Sequence, residues 1–556
     1  MTAGATRLDT VRQHYPVLII GGGINGCGLF RDLAAQGIDC LLVDKNDFCS
    51  GASAAPSRLI HGGIKYLETG EFRLVRQSAM ERNLLLKNAP HYVKPLETVL
   101  PVYSWFGGIV PSIRRFLGLK ATLNDRGAVM TEIGLSLYDL FGRHFRTMPN
   151  HRMVLRRQMA SIMPALTTRA IAGGIYYEGR ITHAERLGLE LVLDGIADNP
   201  QCRALNHVAV SGNGAGGVSL TDGLSSRSIT VTADIVVNAG GAWIDGVNHR
   251  LGIVSRHMGG SKGSHLIVRN QGLYDALGGR MVYFGSADGR VNLLYPFMGN
   301  VLVGSTDIPV ENPDIAVCDE AERHYLASVT REVFPDIEIR HDEIVMSYCG
   351  VRPLPRSAGV DPGAISRDHS IARDVIPGAG TPVLSLVGGK WTTYRGFSEE
   401  AADHVLKQLG RSRSRSTRDL PIGGGRDFPT DIAGINRFTE TLSKAAGSRQ
   451  IAVDLLARYG TRATLIAAED QQTRLVSIPA YGRSELAWIC RHESVGRLTD
   501  LLFRRTDIAL SGRLSSAVIT EAAQIAADTL GWDAERRHNE IDATLQTCHA
   551  HGMIHQ

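Results

Sequence analysis

Residues 17–28 restrict the folds open to this chain more than any other stretch. Val17-Leu18-Ile19-Ile20 is an unbroken apolar run, as a parallel strand buried on both faces requires. Gly21-Gly22-Gly23-Ile24-Asn25-Gly26-Cys27-Gly28 follows without a spacer, and LFRDLAAQG then reads as a helix stopped by Gly37. A second apolar run, Cys40-Leu41-Leu42-Val43, ends in Asp44. In this setting Gly21-x-Gly23-x-x-Gly26 fits a dinucleotide. The first glycine makes the tight turn, the second lets the backbone meet a pyrophosphate, and the third lets helix and strand pack closely. The helix start adds unpaired N–H groups and partial positive charge. Asp44, 18 residues after Gly26, is placed to accept hydrogen bonds from the ribose hydroxyls of an adenosine. The pattern by itself does not separate FAD from NAD.

At roughly 150 residues per domain, 556 residues suggest three or four units, or two large ones. TVTADIVVNAGGAW and VLSLVGGKWTTYR read as further buried strands running into glycines, and LLYPFMGNVLVGSTD as two strands around a Gly-Asn turn. Gly410 to Arg418 is polar, basic and free of apolar residues, and reads as a solvated linker. Beyond it, RQIAVDLLARYG, SELAWICRHESVGRLTDLLFRRT and SSAVITEAAQIAADTLG carry apolar residues at three- and four-residue spacing, so a helical domain is expected from about residue 426.

Composition removes several classes. The net charge of +4 argues against a dedicated nucleic-acid binder, and 43% hydrophobic with 21% charged residues excludes a disordered chain. Eight scattered cysteines without a CxxC signal neither a zinc site nor a redox dithiol, so no metal is expected; they suit a reducing cytosol. The opening residues show no leader pattern, and no run of 18 apolar residues could span a bilayer. Glycine is the outlier, 61 residues or about 11% against a usual ~7%.

Part of that excess sits beside cations: Ser57-Arg58-Leu59-Ile60-His61-Gly62-Gly63-Ile64-Lys65-Tyr66, Gly260-Ser261-Lys262-Gly263-Ser264-His265, Cys349-Gly350-Val351-Arg352-Pro353 and Gly388-Gly389-Lys390-Trp391-Thr392-Thr393. Glycine admits a ligand to the backbone, and Arg or Lys binds phosphate or carboxylate. Each alone could be a surface turn; together they point to an anionic substrate. Two weaker features are the tail Cys548, His549, His551 and His555, read as a frayed terminus rather than a metal site, and Trp105-Phe106 with Arg114-Arg115, read either as ordinary packing or as a membrane contact.

The ordered set GGGINGCG, SRLIHGGIKYLETGEFRLV, GSKGSHLIV, VLVGSTDI, YCGVRPL, GGKWTTYR, LPIGG and LARYGTRATLI resembles FAD-dependent glycerol-3-phosphate dehydrogenase, from about residue 16 to about 530. The resemblance implies an α/β fold of the D-amino-acid-oxidase-like type: a Rossmann-like FAD-binding domain, an interleaved mixed-sheet substrate domain and an all-α C-terminal domain. FAD segments are expected at about 16–100, 170–260 and 345–408, substrate segments at about 101–169 and 261–344, a linker at 411–425 and the helical domain at 426–556. It implies FAD bound by Gly21, Gly23, Gly26, Asp44, Ser53, Ser57, His61, Gly62, Gly240, Gly389, Lys390 and Thr392. Lys65, Tyr66, Lys262, His265, Arg352 and Arg367 would bind substrate, and His61, Lys65, Arg352 and Lys390 would serve catalysis, with His61 as candidate base. The implied partners are a small phosphorylated polyol, a quinone electron acceptor, a membrane surface on the cytoplasmic side and a second copy in a homodimer, without nucleic acid.

The chain also departs from the family. Lys65 stands where the family has Arg, Gly51-Ala52-Ser53-Ala54-Ala55-Pro56 is poor in hydroxyls, and His183-Ala184-Glu185-Arg186 replaces an acidic pair. A longer polyol phosphate such as erythritol phosphate is therefore an alternative substrate. An amine or amino-acid oxidase on the same fold and a non-catalytic flavin binder are the other readings.

Overall fold

β1 (His14–Ile20) lies at the middle of a parallel arrangement, paired with β2 (Cys40–Val43) on one side and with the strand Ser228–Asn238 on the other. Pro382–Gly388 extends the sheet beyond Ser228–Asn238, Arg203–Leu205 extends it beyond β2, and the antiparallel His369–Val375 closes one edge. These features belong to a computed structural model that describes residues 7–67, 70–108, 127–142, 147–214, 217–356, 368–469 and 473–553. Val17 to Ile20 and Cys40 to Val43 are buried, as their unbroken apolar runs require. α1 (Ile24–Ala35) covers the sheet and packs against the helices Ala184–Asp198 and Tyr394–Gln408. Because the chain leaves β1 for β2 on one side and returns to Ser228–Asn238 on the other, a crevice opens at the carboxyl ends of these strands, the position where open α/β sheets bind ligands.

A second, mixed sheet stands beside the first. Val93–Val102 and Ala172–Ile181 run antiparallel along their whole length, and Met281–Gly285 joins Val93–Val102 in parallel. Val291–Phe297 and Asn300–Gly304 form a hairpin whose turn is Met298-Gly299, one residue earlier than the Gly-Asn turn expected. Both turn residues have positive φ, 49° and 79°, as the tight hairpin turn demands. Ser261–Val268 and Ile344–Arg352 are neighbouring antiparallel strands, so GSKGSH and YCGVRP are sheet rather than surface turns.

The helices Ile432–Ala446, Arg449–Tyr459, Arg483–His492, Ser516–Leu530 and Ala534–Ala550 build the C-terminal region. Their apolar faces share one core with Ile267, Met281, Tyr295 and Leu302 of the mixed sheet. The terminus is not frayed through residue 553. Ser347 N donates to the His551 carbonyl at 2.7 Å, and His551 Nδ1 lies 2.8 Å from the Ser347 carbonyl, which pins the tail against the outer strand of the mixed sheet. The basic linker is exposed along most of its length but anchored: Arg413 bonds Asp32 at 2.8 Å, and the Gln36 side chain bonds the backbone of Ser414 and Arg415.

Buried charge joins this region to the nucleotide-binding sheet. Asp47, just past β2, accepts from both terminal nitrogens of Arg505 at 2.7 and 2.8 Å and from Arg504 Nε at 2.5 Å. Burial would raise the Asp47 carboxyl, but Arg505 and Arg504 outweigh that and hold it below the usual range. Arg186 makes a two-pronged pair with Glu493 at 2.7 and 2.8 Å and donates to the Arg505 carbonyl. Removing one partner leaves the other charge buried and uncompensated. Asp47→Asn is expected to cost about 3–5 kcal/mol. Arg483→Ala, which breaks only an exposed pair with Asp528, should cost less than about 1 kcal/mol. Urea unfolding of the two variants checks the contrast.

Candidate active site

The glycine turn has the geometry its sequence forecast, with one addition. Gly21 (φ 110°) donates to the Val43 carbonyl at 2.8 Å, and a Cβ there would press into the Ala239 backbone at 2.5 Å. A Cβ on Gly26 would collide with the Gly21 carbonyl, the close helix–strand packing expected of the third glycine. Gly23 starts α1 without a side-chain cap, and a Cβ there would meet nothing nearer than Ser53 Oγ at 3.4 Å. The first turn of α1 carries no acid. Its Ile24 N–H is taken by Ser53 Oγ at 2.9 Å, so the one hydroxyl kept in residues 51–56 caps the helix. Asp44 accepts from Gly22 N at 2.6 Å and Asn46 N at 2.8 Å. Burial pushes its carboxyl up to about 6 against the pull of those two amides.

Three further turns reach the same crevice. Gly240 follows Ser228–Asn238 and donates to the Asn238 side chain at 3.1 Å. Gly389 (φ 91°) follows Pro382–Gly388 and lies against Asn25, whose Oδ1 is buried without a partner. A bound hydroxyl would satisfy that atom. Trp391 Nε1 donates to the Ser53 carbonyl at 3.3 Å, and His61 N donates to Thr392 Oγ1 at 3.1 Å, so the 51–63 segment and the 389–392 turn are stitched together. A glycine cradle at a helix start free of acidic side chains, with this orphaned amide oxygen beside it, fits a diphosphate and its sugar hydroxyls.

Next to it is a polar cluster. Lys390 Nζ donates to Ser78 Oγ at 3.1 Å and stands 3.9 Å above the Tyr66 ring, while Gly63 (φ 86°) packs against both side chains. His61 Nδ1 is 2.8 Å from Glu178 Oε1, and Gly62 N donates to Glu178 Oε2 at 3.0 Å. Register explains the meeting: Ile60 pairs with Gly179, so the next residue, His61, comes opposite Glu178. Ser57 Oγ is 2.7 Å from His265 Nε2, and the His265 ring stacks on Tyr348. Arg352 is held by Asp307 at 3.1 Å and the Thr306 carbonyl at 2.9 Å, and fills the space a side chain on Gly263 would need.

Lys262 does not join this group. It alternates with His265 across Ser261–Val268, faces the other side of the sheet, and is held by Glu322 at 2.6 Å and Asp319 at 2.9 Å. Those carboxylates outweigh its burial and raise its pKa. The Lys65 side chain and Arg367 lie outside the described residues, as do Arg114, Arg115 and His555. Asp368 pairs with Arg73. Glu185 of the departing HAER segment pairs with the fully buried Arg58. Trp105 and Phe106 are 50% and 72% exposed, not packed. Glu178, Ser78, Tyr138 and Arg82 were missed from sequence. The only local signal was Glu178 itself, an acid inside the mostly apolar strand AGGIYYEGRI.

A parallel sheet with this glycine turn, a second glycine turn carrying Lys390, and a histidine–carboxylate pair at the crevice define a dinucleotide-dependent oxidoreductase. The chain belongs to the FAD dependent oxidoreductase family, which matches residues 16–395, and residues 415–537 match the C-terminal domain of alpha-glycerophosphate oxidase. FAD is therefore its cofactor, and the glycine cradle with Asp44 is where this chain's residues would hold it. The chain is 33% identical over 554 residues to a glycerol-3-phosphate dehydrogenase of Synechocystis sp., covering 95% of each. It is 30% identical over 506 residues to a D-erythritol 1-phosphate dehydrogenase of Brucella abortus, covering 88% of this chain and 93% of that one. Its fold is that of the Bacillus halodurans glycerol-3-phosphate dehydrogenase crystallised with FAD (TM-score 0.73, 23% identity, 98% and 96% of the two chains).

His265 and His183 are both buried, and burial first, then neighbouring arginines, pushes each from 6.5 down to about 3. The folded state therefore holds fewer protons than the unfolded one below pH 6.5. Their contribution to stability is complete above that value and is lost as pH falls toward 3, by up to about 1.4 kcal/mol per pH unit for each ring. Urea midpoints should fall from pH 6.5 to 5, and His265→Asn should flatten the slope.

Proposed function

We propose that this protein oxidises the secondary alcohol of sn-glycerol 3-phosphate to dihydroxyacetone phosphate. The observation that carries the reading is the meeting of the HGGIKY and GGKWTT segments beside the glycine cradle, in a chain whose two regions both align with the Synechocystis glycerol-3-phosphate dehydrogenase. Oxidising an alcohol removes a hydride from carbon and a proton from oxygen; FAD, when bound, accepts the hydride. His61 is the group that takes the proton, by its Nε2, because Nδ1 faces Glu178. Lys390, fixed by Ser78 and Tyr66, and Arg352, fixed by Asp307, supply positive charge for the phosphate and for negative charge developing as the hydride leaves. Lys65, Tyr66, His265 and Arg367 complete the substrate side, and Lys262 is left out of it. Ser53, Ser57, Gly62, Gly240 and Thr392 line the cofactor.

A longer polyol phosphate is the second reading, favoured by the Brucella relative and by Lys65, a point charge where a guanidinium would grip phosphate with two bonds. The glycerophosphate-oxidase C-terminal domain speaks against an amine oxidase. In our reading electrons pass on to a quinone, with Trp105 and Phe106 resting on the cytoplasmic face of the membrane. Their exposure supports that contact, and no described helix is long and apolar enough to cross a bilayer. We also read the chain as an interleaved body to about residue 410, a linker at 411–425 and a cap at 426–556, assembled as a homodimer.

Anaerobic bleaching of the flavin by a panel of phosphorylated polyols tests the reading. Glycerol 3-phosphate should bleach it at lower concentration than erythritol 1-phosphate, and amino acids should not bleach it; the reverse order selects the second substrate. Arg352→Ala should raise KM and lower kcat/KM by about 100-fold, roughly 3 kcal/mol of lost charge-assisted bonding. Unchanged kinetics would take Arg352 out of the site.

A further inference from the structure

Glu178 is fully buried in the strand Ala172–Ile181, and both of its oxygens are engaged. Oε1 receives His61 Nδ1 at 2.8 Å and the Tyr138 hydroxyl at 2.8 Å, and Oε2 receives the Gly62 amide at 3.0 Å and lies 3.5 Å from Arg82 Nη1. Arg82 also donates to the Tyr138 hydroxyl at 2.5 Å and to the Tyr177 carbonyl at 3.2 Å. The carboxylate is thus fixed from three sides: by Arg82 on the helix Phe72–Asn88, by Tyr138 on the helix Ala128–Gly142, and by the loop that carries His61. The His61 side chain is 24% exposed, and the Tyr283 ring centroid stands 5.9 Å from that of His61.

We propose that Glu178 is the positioning residue of the proton-transfer step, setting the tautomer and orientation of His61, with Tyr138 and Arg82 holding the carboxylate in place. The inference rests on the reading of His61 as the base. A carboxylate only accepts, so Nδ1 carries the ring hydrogen and Nε2 presents its lone pair to the crevice. The alcohol proton passes to Nε2 as the hydride leaves carbon, and the imidazolium so formed faces a negative charge 2.8 Å away. The charge is available because, although burial would raise Glu178, His61, Arg82 and the Gly62 amide together hold it below the ordinary carboxylate range. Tyr176, on the same strand, is the other titratable group facing Glu178; burial first, then that carboxylate, pushes its phenol far up, so it stays neutral.

The test follows His61 directly. Carbethoxylation of His61 in the FAD-loaded protein, read by peptide mass spectrometry across pH, reports the protonation of the ring without any substrate. Glu178→Gln keeps the shape and removes the charge, so the midpoint should move down by at least about one pH unit, a tenfold loss of proton affinity. Glu178→Asp, which keeps the charge, should restore most of it. Tyr138→Phe removes one competing donor, leaves more of the charge to His61, and should move the midpoint up; it serves in its own right if Glu178→Gln does not retain FAD. With glycerol 3-phosphate, Glu178→Gln should lower kcat by about 10²–10⁴-fold with a smaller change in KM, and the acid limb of the profile should follow the labelling midpoint. Wild-type midpoints in both Glu178→Gln and Tyr138→Phe would overturn the proposal. A shifted midpoint in a protein whose flavin glycerol 3-phosphate does not bleach would overturn the substrate reading and leave the pair standing.

Discussion

The buried ionic seam around Asp47 is the constraint on which the remaining architecture depends. Asp47 lies three residues beyond Asp44, at the end of β2 where the cofactor crevice begins, and its oxygens are occupied by Arg504, Arg505 and Asn206. Asp500 closes the seam, bonding Arg504 at 2.6 Å and His207 at 2.9 Å. Taking such charges out of water is expensive, and only this many directed bonds offset it. The seam ties the segment just after Asp44 to the C-terminal helices. Those helices share their apolar core with the mixed sheet that carries His265. The helical region is thereby joined both to the parallel sheet that carries the glycine turn and to the mixed sheet that carries His265. The cluster Asp47, His207 and Asp500 has the composition of a metal site, but arginine nitrogens and backbone amides already fill its oxygens.

Strand parity distributes the functional groups. Along Ser261–Val268, His265 faces Tyr348 and Ser57, whereas Lys262 faces Asp319 and Glu322. Gly263 lies flat so that the Arg352 guanidinium from the adjacent strand can cross it. Glycine–cation clusters that look alike in sequence therefore have different fates. Those on strands are sorted by the two-residue period, whereas the Gly389 turn sets Lys390 over Tyr66 and beside Ser78. Individual glycines are fixed for different reasons: Gly21 and Gly26 by close backbone approach, Gly389 by its positive φ of 91°, and Gly263 by a neighbouring side chain.

The sequence by itself determined the parts of the fold that local patterning controls. An apolar run, a glycine turn and an acid sufficed for β1, α1, β2 and the cradle, because the chemistry lies within 28 consecutive residues. The helical C-terminal region was legible from its apolar spacing, and the glycine turn that carries Lys390 from its Gly-Gly-Lys pattern. Tertiary structure decided the rest, because each remaining feature depends on partners far apart in the chain. Glu178 is 117 residues from His61 and met it only through strand register. Lys262 was assigned to its carboxylates by a helix that begins at Glu320. His551 was tied down by a strand edge 204 residues away. A residue type and its neighbours announce what chemistry is available, but which group faces which is set by sheet pairing and burial, and those are properties of the folded chain.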